Sequence, residues 1–149
     1  MNRIVLVLTC AFLGCGRPVV SPAPRALVPA MLLGDFQDDY GGRHTIGEAI
    51  WLHGSRARYH IVKWNVPGRY LIAQNDSANP GQPLRWTRID WMLLPGMPPY
   101  EWGFCLTAYD APSAAAAEAT PAPNRAAPKT GCSGFPFSRM RRPEPPSSR

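Results

Sequence analysis

Apolar positions change their spacing along the chain, and each change marks a different kind of segment. Ile4 to Gly14 (IVLVLTCAFLG) is almost continuously apolar and follows the short basic start Met1-Asn2-Arg3. Spanning a bilayer takes about 20 apolar residues, so this run is too short and predicts a cleaved signal peptide. Residues 16–30 (GRPVVSPAPRALVPA) are rich in proline and small residues, which predicts an extended tether. Beyond it, five runs rich in aromatic and β-branched residues alternate with turn signals: HTIGEAIWLH, ARYHIVKW, RYLIAQ, LRWTRIDWMLL and YEWGFCLTAY. In the last run Tyr100, Trp102, Phe104, Leu106 and Ala108 fall on one face at period two.

Five strands that bury one face must close or pair their edges. The expected fold is therefore all-β, a small antiparallel meander closing into a barrel or half-barrel. Val66-Pro67-Gly68-Arg69 has Pro then Gly at the centre of an expected type II turn. A helix is expected only at Ala114–Ala119, and a short one.

Composition sharpens the boundaries. All five Trp and all five Tyr lie between Tyr40 and Tyr109, whereas proline, alanine and serine dominate residues 110–149. Buried aromatics offset the entropy of ordering a chain; Pro/Ala tracts do not. The expected organisation is a signal at 1–14, a disordered tether at 15–32, the β-domain at 33–110 and a Pro/Ala-rich loop at 111–131. A segment docked by a disulfide comes next at 132–141, and then a disordered tail at 142–149.

Phe12-Leu13-Gly14-Cys15 resembles the lipobox of bacterial lipoproteins, with Leu13 one position later than the commonest pattern. The resemblance implies lipidation of Cys15, cleavage before it and a partnership with the membrane through the lipid anchor. Gly16 after the cysteine resembles the members sorted to the outer membrane, so the expected location is the cell envelope. The domain resembles bacterial lipocalins in Gly34-Asp35-Phe36, Tyr70-Leu71-Ile72-Ala73 and Trp102-Gly103-Phe104-Cys105. It departs from them in carrying Phe36 where that family has tryptophan, and in having five clear runs where it has eight strands.

Four cysteines occur: Cys10, Cys15, Cys105 and Cys132. Cys10 leaves with the signal and Cys15 is assigned to lipid, so an exported protein keeps one pair, and a Cys105–Cys132 disulfide is expected. That bridge would deliver Phe135 and Phe137 as a lid near Cys105, with Pro121 to Thr130 looping out and the chain fraying after Arg141. The net charge of +6 includes no basic run interleaved with aromatics, so no nucleic-acid partner is expected.

Standard catalytic motifs are absent, and no cofactor or metal is expected. Gly131-Cys132-Ser133-Gly134 reads as a disulfide loop. His44, His53 and His60 read as structural or surface residues; on a regular strand, the odd separation of His44 and His53 puts them on opposite faces. Asp35, Gln37, Asp38 and Asp39 read as a solvated acidic turn. Among carboxylates on strands, Glu48, Asp90 and Glu101, a small hydrolase would use Asp90 or Glu101. Trp86 and Trp91 have opposite parity on one run. An exposed indole there, beside Arg88, is a ligand-binding candidate for a sugar face or an apolar molecule. The leading expectation is a lipid-anchored envelope protein with a non-enzymatic binding or structural role, toward an envelope glycan, an apolar ligand or a protein. A lipocalin-like barrel with an apolar ligand and a small hydrolase are the alternatives.

Overall fold

The computed structural model describes residues 28–144. The lipobox, Cys15 included, lies outside the described residues. Eight strands run in sequence order: β1 (Gly34–Asp38), β2 (Arg43–Ile46), β3 (Ile50–His53), β4 (Ala57–Asn65), β5 (Tyr70–Asn75), β6 (Trp86–Leu93), β7 (Trp102–Ala111) and β8 (Ser138–Arg141). Each pairs antiparallel with the next. β8 returns to β1 through Gln37–Arg141 and Asp38–Met140, closing the barrel.

Three strands escape the five-run pattern, each for a local reason. HTIGEAIWLH is a hairpin: the Gly47 amide donates to the Ile50 carbonyl, and the fold-back splits the run into β2 and β3. β1 carries two aspartates yet alternates like any half-buried strand, with Phe36 and Asp38 turned to the core side. β8 shows the core a single apolar side chain, Met140, so its sequence lacks an apolar period.

Interior positions come from every strand. Phe36, Ile46, Trp51, Leu71, Ala73, Ile89, Trp91, Trp102, Phe104 and Met140 form one cluster with Leu32. Phe36 meets Trp102 edge-on at 5.2 Å, and Trp51 meets Phe104 at 5.2 Å. A bulge between Ile61 and Lys63 shifts the parity of β4, so Tyr59, Ile61 and then Trp64 face inward while Val62 is thrown outward. Trp64 packs on Trp91 at 5.7 Å.

The end where the chain enters is corked. A 3-10 turn (Ala30–Leu32) inserts Leu32 into the core. The Arg142 guanidinium lies 4.1 Å over the Phe36 ring and donates to the Leu33 and Met31 carbonyls at 2.9 and 3.4 Å. Gly34 allows that approach. Its φ is +108°, and a Cβ there would sit 2.7 Å from Arg142 Nη1. Arg142 is thus a clamp, and the expected fraying after Arg141 is corrected.

Residues 112–131 form a strap on the outer face of β5, β6 and β7. Its helix α1 (Ala114–Ala119) is capped by the Ser113 hydroxyl, which accepts from the Ala116 amide. Cys105 and Cys132 are bonded, with Cα atoms 5.6 Å apart. Phe137 is buried, but Phe135 is 71% exposed, so only one of the two expected lid residues packs. Pro121 to Thr130 does not loop out, because Arg125 fastens it to the wall. The turn at 66–69 also differs from expectation. Arg69 takes the positive φ, 55°, while Gly68 accommodates the Tyr70 ring, which a Cβ would approach to 2.7 Å.

Candidate functional site at the open end of the barrel

The opposite end, carrying the β1–β2, β3–β4 and β5–β6 connections, gathers the polar residues. The short β2–β3 hairpin places His44 directly across from His53, and the rings stack at 4.3 Å. The two are related by the hairpin and not by a single strand, so they share a face, which corrects the parity expectation. His60 lies elsewhere, bonded to Asp76 at 2.7 Å on the surface.

His44 is buried and both of its nitrogens are engaged. The Trp51 indole can only donate, so at 3.0 Å Nδ1 accepts from it. Nε2 therefore carries the proton and donates to Asp38 Oδ2 at 3.0 Å. Asp38 Oδ1 accepts the Tyr40 and Gly42 amides at 3.0 and 2.6 Å, which shapes the β1–β2 turn. Burial pushes the Asp38 carboxyl up, but the His44 and backbone hydrogen bonds outweigh it and hold the group below the usual carboxylate range. Burial lowers His44 against the pull of Asp38, and burial also lowers His53.

Ligand atoms of Asp38, His44 and His53 all lie within 4.8 Å of one another. The hydrogen bonds nevertheless do not fit a metal. A histidine ligating through Nε2 carries its proton on Nδ1 and needs an acceptor there, whereas His44 Nδ1 faces an indole N–H. Trp51, His44 and Asp38 form a hydrogen-bonded relay that shapes the rim, with His53 stacked on His44. The expected acidic turn is dispersed: Asp38 serves the relay, Asp35 accepts from Thr45, Asp39 pairs with Arg139 and Gln37 accepts from Arg141.

Beside the relay, the barrel wall is incomplete. β7 runs on to Ala111, but β8 pairs only with Trp102, Gly103 and Phe104 and begins at Ser138. The missing stretch opens a cavity of about 700 Å³ between the β1–β2 turn, the His53–Arg56 turn and the middle of β7. Phe104 and Leu106 give it an apolar wall beside the Cys105–Cys132 bridge and Ser138, and Asp38, Tyr40, Arg43, His53 and Arg56 add polar lining.

The residues singled out from sequence lie elsewhere. Trp91 is buried in the core against Trp64. Trp86 is half-buried at the start of β6, opposite Ala111. Arg88 is buried under the strap, where it makes a two-pronged pair with Asp90 at 2.8 and 3.0 Å and donates to the Glu118 and Thr120 carbonyls. Asp90, wholly buried, also accepts from Arg125 at 2.8 Å and Thr107 at 2.6 Å. Arg125 reaches the Gly68, Arg69 and Trp91 carbonyls as well. This network is a rivet for the strap. Glu48 offers its carbonyl to the Trp64 indole from the β2–β3 turn, and Glu101 is exposed at the corked end, ahead of β7.

Sequence reasoning passed over Arg125, a lone cation in a Pro/Ala tract, which nothing local distinguishes. The His44–His53 pairing was available in principle, since both stand symmetrically about the Glu48-Ala49 turn once that turn is recognised. Comparison of the chain with protein-family models, curated proteins and solved structures finds no match.

Proposed function

We propose that this protein is a lipid-anchored, non-enzymatic binding module of the bacterial envelope that meets its partner at the open end of the barrel. The observation that carries the reading is the filled interior. Phe36, Leu71, Ile89, Trp102 and Met140 have essentially no accessible surface, so they border neither bulk water nor a water-sized void. A lipocalin-like role needs an enclosed apolar cavity, and Trp51, Trp64, Trp91 and Trp102 occupy the space where one would lie. The buried carboxylates are also committed: Asp90 to two arginines and a threonine, Asp38 to His44 and two amides. That supports binding over hydrolysis. The lipid anchor rests on Cys15 and its lipobox-like setting.

The test combines labelling with ligand titration in an export-competent bacterial host. Full-length protein should incorporate labelled palmitate and pellet with membranes, and Cys15→Ser should accumulate as uncleaved precursor. Normally processed, soluble Cys15→Ser would remove the anchor. A fluorescent fatty acid should give no saturable signal with the purified protein; one-to-one saturation would restore the apolar-ligand reading.

A further inference from the structure

The gap beside β7 has the dimensions and chemistry of a missing strand. β8 cannot extend backward from Ser138. Pro136 has no N–H for a ladder, and the Phe137 amide is spent on the Pro128 carbonyl, so the chain leaves the wall there. Leu106–Ala111 pair on one side with β6. On the other side, among the described residues, none of their backbone groups has a backbone partner. The one additional bond is from the Asn75 side chain to the Tyr109 carbonyl. Leu106 and Tyr109 are 36% and 54% exposed along this edge. A strand rises about 3.3 Å per residue, so the open edge takes an extended segment of roughly five residues.

We propose that the cavity is a β-strand addition site for an extended acidic peptide of a partner protein, which lies in line with β8 and antiparallel to β7. Backbone pairing to Leu106–Asp110 would supply affinity, and alternate side chains would supply selectivity. Side chains on the inner face would rest on Phe104 and Leu106. Those at the rim would meet Arg43 and Arg56, both exposed and, among the described residues, without a carboxylate partner. The Asp38 carboxylate in the same cavity is already answered by His44 and two amides. Asp110 stands exposed toward the far end of the edge. A second copy of this chain fits less well, since edge-to-edge pairing would bring two Arg43/Arg56 sets together.

The proposal deepens the reading of the open end as the binding surface, and it does not depend on Cys15. The probe is a seven-residue, end-blocked peptide alternating glutamate with valine, titrated into the mature full-length protein. A lysine-for-glutamate version and a version with N-methylated central amides serve as controls. The glutamate peptide should bind saturably and slow amide exchange at Leu106–Asp110. It should weaken about tenfold or more with the double variant Arg43→Glu, Arg56→Glu. That variant should bind the lysine peptide instead, and the N-methylated peptide should bind neither protein. Absence of binding, unchanged affinity in the double variant or protection away from β7 would each overturn the proposal. So would a salt-insensitive dimer protected along β7, which would assign the edge to a second copy. Failure here with palmitate labelling intact sinks only the strand-addition site; loss of labelling with peptide binding intact sinks only the anchor.

Discussion

At His44, an indole donor on one ring nitrogen and a carboxylate acceptor on the other make the neutral tautomer the one form that satisfies both neighbours. Protonating it would set N–H against N–H in a buried site. This arrangement has a pH consequence whose sign is fixed. The folded pKa values of His44 and His53 lie below the unfolded value near 6.5, so the unfolded chain binds protons first. Their contribution is fully present above about pH 6.5 and is lost as pH falls from there toward the folded values. The Asp38 contribution is present above its ordinary value near 3.8 and is lost as pH falls below it through the folded value. Urea midpoints should therefore drop between pH 7.5 and pH 5, at up to about 1.4 kcal/mol per pH unit for each proton involved. His44→Gln should be less stable at pH 7.5 and show a flatter slope. A midpoint that holds or rises on acidification would contradict the neutral relay.

Among the elements, the strap is the one whose ordering depends most on a few side chains. Its Pro/Ala sequence supplies little apolar surface of its own, and Arg88, Asp90 and Arg125 replace that surface with charge-assisted bonds to backbone carbonyls. Asp90 is the centre of the rivet because removing it leaves two guanidinium groups without a carboxylate, one of them buried. Asp90→Ala should cost about 3–5 kcal/mol, the range for breaking a buried pair from one side. Arg125→Ala should cost less, since its side chain is partly exposed and Arg88 still answers Asp90. Denaturant unfolding of the two variants checks the order. Equal costs would mean that the strap is held by its helix and disulfide and not by the ion network.

For the whole molecule, the C-terminal segment decides whether a barrel exists. β8 supplies the closing pairs to β1 and β7, Met140 completes the core, and Arg142 clamps the cork. A chain ending after Pro112 loses all three and should lack a cooperative thermal transition. A chain ending after Pro143 should melt like the full protein. Opening the Cys105–Cys132 bridge by Cys132→Ser should cost about 3.5 kcal/mol, the chain-entropy value for its sequence separation of 27. Differential scanning calorimetry of the three proteins separates these effects. A cooperative transition in the Pro112 truncation would mean that β1 to β7 close without β8.

Period-two alternation in the last run, the turn signals between runs, the short alanine helix and the even pair of cysteines were legible because each is written in the residues themselves. Alternation sets which face a strand buries, Pro and Gly mark turns locally, and two leftover cysteines have one possible partner each. These features determine an all-β chain with one short helix at Ala114–Ala119 and one crosslink. Closure itself followed from the need to hide the sheet edges, but the strands that close the barrel were not legible, because β1 and β8 are separated by almost the whole chain and β8 offers a single interior side chain. The meaning of Arg88, Asp90, Trp91 and His44 was not legible either. A charged or aromatic side chain has the same sequence signature whether it faces solvent, a core or an opposite charge. Tertiary packing alone put Trp91 inside, buried the arginine–aspartate rivet beneath the strap, and set two histidines face to face. It also left β7 longer than its partner, because a ladder ends where both strands must supply backbone groups and Pro136 turns one of them away.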